Sequence, residues 1–185
     1  MKSSLILIIS LYLISPVLVA QDTDWVTTKD LELAYKIDYP EKAEKEFQSV
    51  PTAKGDVTMI SYALNSNNTK NLVYMSSYTK YPTFFFSDGL DTYEKQHKVL
   101  DGSVNGAAKN VKGRIVSDEK IVFNGYNGRV IKIELESGGT YVIRMQMVLV
   151  DHQLYMMQTI STKENEGNRD TTRFFDSFEL LNVKQ

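Results

Sequence analysis

Four groups of residues have the types and spacing to do chemistry. Ser117-Asp118-Glu119-Lys120 has the Ser-x-x-Lys spacing, which on a helix sets a lysine amine one turn from a serine hydroxyl and activates it as a nucleophile. Context argues against that use. The tetrapeptide lies between a helix end and a predicted strand, and the companion Ser-Asp-Asn and Lys-Thr-Gly motifs are missing. His97 and His152 are too far apart for metal-ligand spacing, and both read as surface or edge residues. Met145, Met147, Met156 and Met157 fall in neighbouring strand-like runs and could offer thioether sulfurs to Cu(I); adaptable core packing, with Met157 opposite Met147, is the simpler use. Arg129 and Arg144 could hold an anionic ligand, although Glu134 stands ready to take Arg144 into a structural ion pair. No catalytic, cofactor-binding or metal-binding residue is assigned, and no cofactor is expected.

Tyr81-Pro82-Thr83-Phe84-Phe85-Phe86 is harder to absorb into a core. The segment is short for a long strand and has no helical period, so its aromatic rings cannot easily all point inward. Exposed clustered aromatics mark partner or ligand sites, whereas packing beneath the following helix as a satellite cluster would leave nothing to bind. Tyr81, Phe84, Phe85 and Phe86, with Arg129, are the candidate partner or ligand contacts.

The elements that must position these residues begin after a leader-like stretch. Lys2 gives a positive start, residues 5–14 are apolar except Ser10, and Ser15-Pro16 followed by Val17-Leu18-Val19-Ala20 reads as the exit and cleavage site of a signal peptide. The run is short for a membrane span, which needs roughly 20 apolar residues, so the exported chain is not expected to be an integral membrane protein, although retention of the leader as an anchor stays open. Cleavage after Ala20 leaves 165 residues, enough for one domain with a sizeable core. We read residues 1–20 as the signal peptide, 21–29 as an N-terminal segment and 30–183 as a single α+β domain. With no cysteine, the exported chain relies on packing alone, which suits a bacterial periplasmic or secreted protein. Losing Lys2 leaves 20 basic against 23 acidic residues, scattered without a basic run, which argues against nucleic acid as a partner. The Asn67-Asn68-Thr69 sequon serves only as a loop marker.

Residues 31–39 alternate apolar and polar and predict a strand ended by Pro40; residues 57–64 and 72–79 predict two more around a polar turn. From Asp88, a plausible N-cap, the period changes: Leu90, Tyr93, His97, Leu100, Val104, Ala108 and Val111 fall on helical spacing. Gly102 and Gly106 should weaken that helix beyond Asp101. Residues 131–135, 141–149 and 154–157 predict an antiparallel meander. Two registers keep its apolar face intact, and pairing Glu134 with Arg144 across a Gly138-Gly139-Thr140 loop avoids setting Lys132 against Arg144. A short helix over residues 171–177, capped by Asp170, should turn Phe174, Phe175 and Phe178 inward.

Tyr39-Pro40 closing a strand, the central helix, Gly125-x-x-Gly128-Arg129 opening a strand, Tyr141 to Arg144, Leu154-Tyr155 and Arg173-Phe174-Phe175-Asp176-Ser177-Phe178, in that order, resemble the small exported bacterial proteins of the PsbP-like group. The resemblance covers about residues 25–180 and implies an antiparallel β-sheet flanked by helices, a Mog1/PsbP-like αβα sandwich. It implies partner binding more than catalysis, and no functional residue of the group carries over, because the matching positions are those that form the fold. Three readings remain: an exported non-catalytic envelope protein, an accessory domain that binds another protein; a carrier of a small apolar ligand between helix and sheet; and an unrecognised hydrolase or isomerase.

Overall fold

The computed structural model describes residues 24–52, 54–135 and 141–181. The signal-peptide reading and the Gly138-Gly139-Thr140 loop lie outside them. Among the described residues, two antiparallel sheets and two α-helices make up the fold. A three-stranded sheet, ordered β1-β2-β10, comprises β1 (Val26–Asp30), β2 (Tyr35–Tyr39) and β10 (Glu179–Leu180). The larger, seven-stranded sheet has the order β3-β4-β5-β9-β8-β7-β6. Its strands are β3 (Glu44–Thr52), β4 (Gly55–Asn65), β5 (Asn71–Lys80), β6 (Gly113–Phe123), β7 (Tyr126–Leu135), β8 (Tyr141–Val150) and β9 (Gln153–Thr162). Helix α1 (Tyr93–Asn110) covers one face, and α2 (Arg169–Asp176) with the small sheet covers the other. This is an α+β sandwich.

Alternation along β7 and β8 divides the core in two. Ile131, Ile133, Ile143, Met145, Met147 and Leu149 face Leu100, Val104 and Ala108 of α1. On the opposite face Val148, Tyr155 and Met157 join Tyr35, Tyr39, Tyr74, Phe174 and Phe178. Met147 pairs with Met156, and Met157 with Gln146, so Met157 lies on the other face from Met147 and not opposite it.

The β7–β8 register differs from the charge-based expectation: Lys132 stands opposite Arg144, and Glu134 opposite Val142. The reason is that β7 is an interior strand with a second neighbour. Glu134 faces Arg114 of β6 at 2.6 Å and also receives Lys163 at 2.9 Å, while Lys132 reaches Glu166 at 2.9 Å. Glu134 therefore finds opposite charge without Arg144.

The predicted strand over residues 31–39 is half turn. The Asp30 carboxylate accepts the Glu32 and Leu33 backbone N–H groups at 3.0 Å each, and Ala34 takes a φ of 57°, which folds β1 back on β2 and leaves Leu31 exposed. Both predicted caps move as well. Thr92, not Asp88, accepts the Lys95 N–H at the start of α1, and Asn168, not Asp170, accepts that of Thr171 at the start of α2. Helix α1 runs through Gly102 and Gly106 to Asn110, with Glu94 in its first turn and Lys109 in its last complementing the helix dipole.

Two glycines respond oppositely to a methyl group. A Cβ on Gly102 would meet nothing within 4 Å, so Gly102→Ala should stabilise by about 1 kcal/mol. A Cβ on Gly128 would run into the Met147 carbonyl oxygen and the Ile121 side chain, so Gly128→Ala should cost about 1–3 kcal/mol by pushing β7 off β8. Urea unfolding of the two variants checks both signs.

Candidate functional site

The aromatic segment is held as an ordered corner. Tyr81 N–H donates to the His152 carbonyl at 2.8 Å, which ties the end of β5 to the β8–β9 turn. Residues Thr83–Phe86 then form one turn of 3-10 helix, closed by Phe85 N–H to the Pro82 carbonyl at 3.0 Å. Successive side chains of such a turn point about 120° apart, so they cannot share one destination. Phe85 is buried against Gly55, and the Lys54 ammonium donates to its carbonyl. The Tyr81 ring lies tilted against Phe85 and edge-to-face with Phe86, at centroid distances of 6.4 and 5.7 Å; burial pushes its hydroxyl pKa up, partly offset by a hydrogen bond with Ser103. Phe86 packs on His152 at 5.4 Å. Phe84 is left over. It rests edge-on against Phe85 at 5.0 Å and is 73% exposed.

Arg129 belongs to a different cluster. It lies on the α1 face of β7, buried, and its guanidinium binds Asp101 of α1 and Asp118 of β6, the latter at 3.3 Å, while its Nε has no hydrogen-bond partner. The two candidate groups both reach α1, where Tyr81 meets Ser103 and Arg129 meets Asp101. His97, one turn before Asp101, is buried beside Arg129, not at the surface or an edge as its type suggested. Neither of its ring nitrogens has a partner, and its ring lies 4.0 Å from that of Tyr93, over which the Lys120 amine sits at 5.3 Å. The helical spacing of His97 with Leu100 and Val104 carried the signal for its burial.

The remaining candidates separate in space. Ser117 and Lys120 lie within β6, and three residues apart on a strand point to opposite faces, so lysine cannot activate serine there. Met145 and Met147 share one face of the sheet and Met157 occupies the other, which splits the thioethers among core positions. Among the described residues no three His, Cys, Asp or Glu side chains are grouped to hold a metal ion, and no helix is long and apolar enough to cross a membrane.

One polar network escaped the sequence reading. The Tyr39 hydroxyl donates to Ser76 Oγ at 2.7 Å or the Tyr62 carbonyl at 2.9 Å, and the Tyr35 hydroxyl lies 2.8 Å from the same Oγ. Burial pushes both phenols well above their ordinary pKa. Nearby, Asp30 takes Lys45 at 2.7 Å and Tyr62 at 2.8 Å; burial raises its pKa, but these bonds and the Leu33 N–H outweigh that and hold it below the ordinary carboxylate value. These groups bind one another and lock the small sheet onto β4 and β5.

No family model and no curated protein matches the sequence. Solved structures do. The solution structure of cyanobacterial PsbP, CyanoP, from Synechocystis sp. PCC 6803 superposes with a TM-score of 0.53 at 10% identity, covering 88% of this chain and 96% of that one. The fold is PsbP-like. A Pseudomonas aeruginosa protein of unknown function is also similar, with a TM-score of 0.42 at 8% identity over 80% of this chain and 90% of that one. At such identities the PsbP likeness concerns the fold, and the site must be argued from its own side chains.

Proposed function

We propose that this chain is an exported, non-catalytic bacterial envelope protein that binds another protein through the corner formed by Tyr81, Phe84, Phe85 and Phe86. The observation that carries the reading is Phe84, a phenylalanine 73% exposed on an ordered turn whose next residue, Phe85, is buried. A rigid exposed aromatic loses little side-chain entropy on binding and offers the large contact area typical of binding hot spots. Arg129 supports the corner from behind through α1 and does not contact the partner, because two carboxylates already balance its charge. The leader-like residues 1–20 and the absence of cysteine support export. The apolar-carrier reading has less support, since two clefts among the described residues, of about 210 and 440 Å3, carry charged side chains in their walls, Arg144 and Asp176 in one and Lys70, Arg169 and Asp170 in the other.

A photo-crosslinking phenylalanine analogue at position 84, compared with one at the exposed Lys98 of α1, tests the assignment in the native envelope. The expected result is one protein adduct specific to position 84. With the captured partner purified, Phe84→Ser should weaken binding about tenfold or more at unchanged thermal stability. Identical adducts at both positions, or full affinity in Phe84→Ser, would place the interface elsewhere.

A further inference from the structure

Between α2 and the sheet runs a cleft of about 210 Å3, with Val130, Arg144 and Gln146 on the sheet side and Thr172, Phe175 and Asp176 on the helix side. Arg144 stands directly across from Lys132, a like-charge pair. Lys132 turns its amine to Glu166, and Glu134, further along β7, is held by Arg114 and Lys163. Among the described residues no carboxylate comes within 4.0 Å of the Arg144 guanidinium, and no cation comes that close to Asp176. Gly167, at a φ of 66°, presents bare backbone to Arg144; a Cβ there would stand 3.3 Å from Nη1. Two opposite charges therefore line one cleft without pairing. A half-buried cation beside a like charge gains more from an incoming anion than a fully solvated one does, because less water screens the contact.

We propose that this cleft binds a small zwitterion, an α-amino acid whose carboxylate takes both arms of Arg144 and whose ammonium group lies against Asp176. The planar guanidinium matches a carboxylate in bidentate geometry, and Gln146 and Thr172 offer neutral hydrogen-bonding groups in the same cleft. Phe175 supplies the apolar wall for a side chain. The volume is below the roughly 300–1,000 Å3 of clefts for drug-sized ligands, which restricts the occupant to a few heavy atoms. This site is on the opposite face of the sheet from α1 and does not depend on the aromatic corner.

Isothermal titration of the purified protein with the standard L-amino acids, their N-acetyl and C-amide derivatives, and sodium acetate tests the proposal. At least one free amino acid should bind with a Kd below about 1 mM. Blocking either end of it, or substituting Arg144→Gln or Asp176→Asn, should each weaken binding about tenfold or more. Asp176 is exposed, so its variant keeps the fold, and Arg144→Gln removes the like-charge contact with Lys132 and should leave thermal stability unchanged or raised. No binding below about 10 mM, binding that survives both substitutions, or acetate binding as tightly as the amino acids would overturn the assignment.

Discussion

Phe174→Ala should destabilise the protein by about 3–5 kcal/mol, read as a fall in the urea midpoint at an unchanged slope. Phe174 is fully buried where α2 presses on the small sheet and β5. Its ring meets Tyr39 at 5.2 Å and Tyr74 at 5.3 Å, both in edge-to-face geometry, a contact that adds to its area burial. The void left by alanine cannot easily close. Tyr39 is tethered by its hydroxyl to Ser76 and the Tyr62 carbonyl, and Tyr74 by its own hydroxyl to Thr69 and Asn71. Moving either ring inward would break hydrogen bonds whose loss inside the core costs about 1–3 kcal/mol each. Phe175→Ala is the internal comparison: that ring is only partly buried beside the cleft, so its removal should cost clearly less. Equal, small losses in both variants would mean that α2 does not anchor the small sheet.

How much of this was legible in the sequence depended on the range of the interactions. Alternation along β8 and β9 and the 3.6-residue period of α1 are local, and all three elements form over the patterned residues, although α1 starts only at Tyr93 and β9 continues to Thr162. Register was not local. The charges of Lys132, Glu134 and Arg144 favour one pairing of β7 and β8 when the hairpin is taken alone, but Glu134 answers to Arg114 on the far side of β7, and nothing in the hairpin sequence announces β6. The edge strand β3 was hidden for a related reason: its residues are mostly exposed on both faces, so no apolar alternation marks it. Caps followed geometry that residue type alone does not reveal. Asn168 was chosen over Asp170 because its amide also ties α2 to Asn71 across the fold, at 2.8 Å. In the aromatic corner, composition marks the segment as a whole, but only the 3-10 turn separates the exposed Phe84 from the buried Phe85.

His97 should make the stability of this protein fall with acidification between pH 7 and pH 5, and His97→Met should remove that slope. Burial, foremost, and then the facing cations Lys120 of β6 and Arg129 of β7 push its imidazole below the ordinary 6.5, against a smaller opposing effect of Asp101 and Asp118. Above that ordinary value the ring is neutral in folded and unfolded chains alike. As the pH falls through it, the unfolded chain takes up a proton that the folded one refuses, so stability declines by at most about 1.4 kcal/mol per pH unit until the lowered folded value is reached. The window isolates this group from the carboxylates Asp30 and Glu134. Both are held below their ordinary values of 3.8 and 4.5, so the stability they contribute is lost only at still lower pH. Urea midpoints of the two proteins at pH 7, 6 and 5 are the measurement, and parallel slopes would show that the ring charges without disturbing the fold. The geometry also says where the acid weakness should begin. Asp101 and Asp118, the carboxylates nearest in charge effect to His97, are already engaged by Arg129, and the ring nitrogens have no hydrogen-bond partner among the described residues, so a charged ring should reach water by loosening α1. Hydrogen exchange should therefore quicken in residues 93–110 at pH 5 before the fluorescence of Trp25 changes, because that single tryptophan packs on Tyr74 and Arg173 at the other side of the sheet.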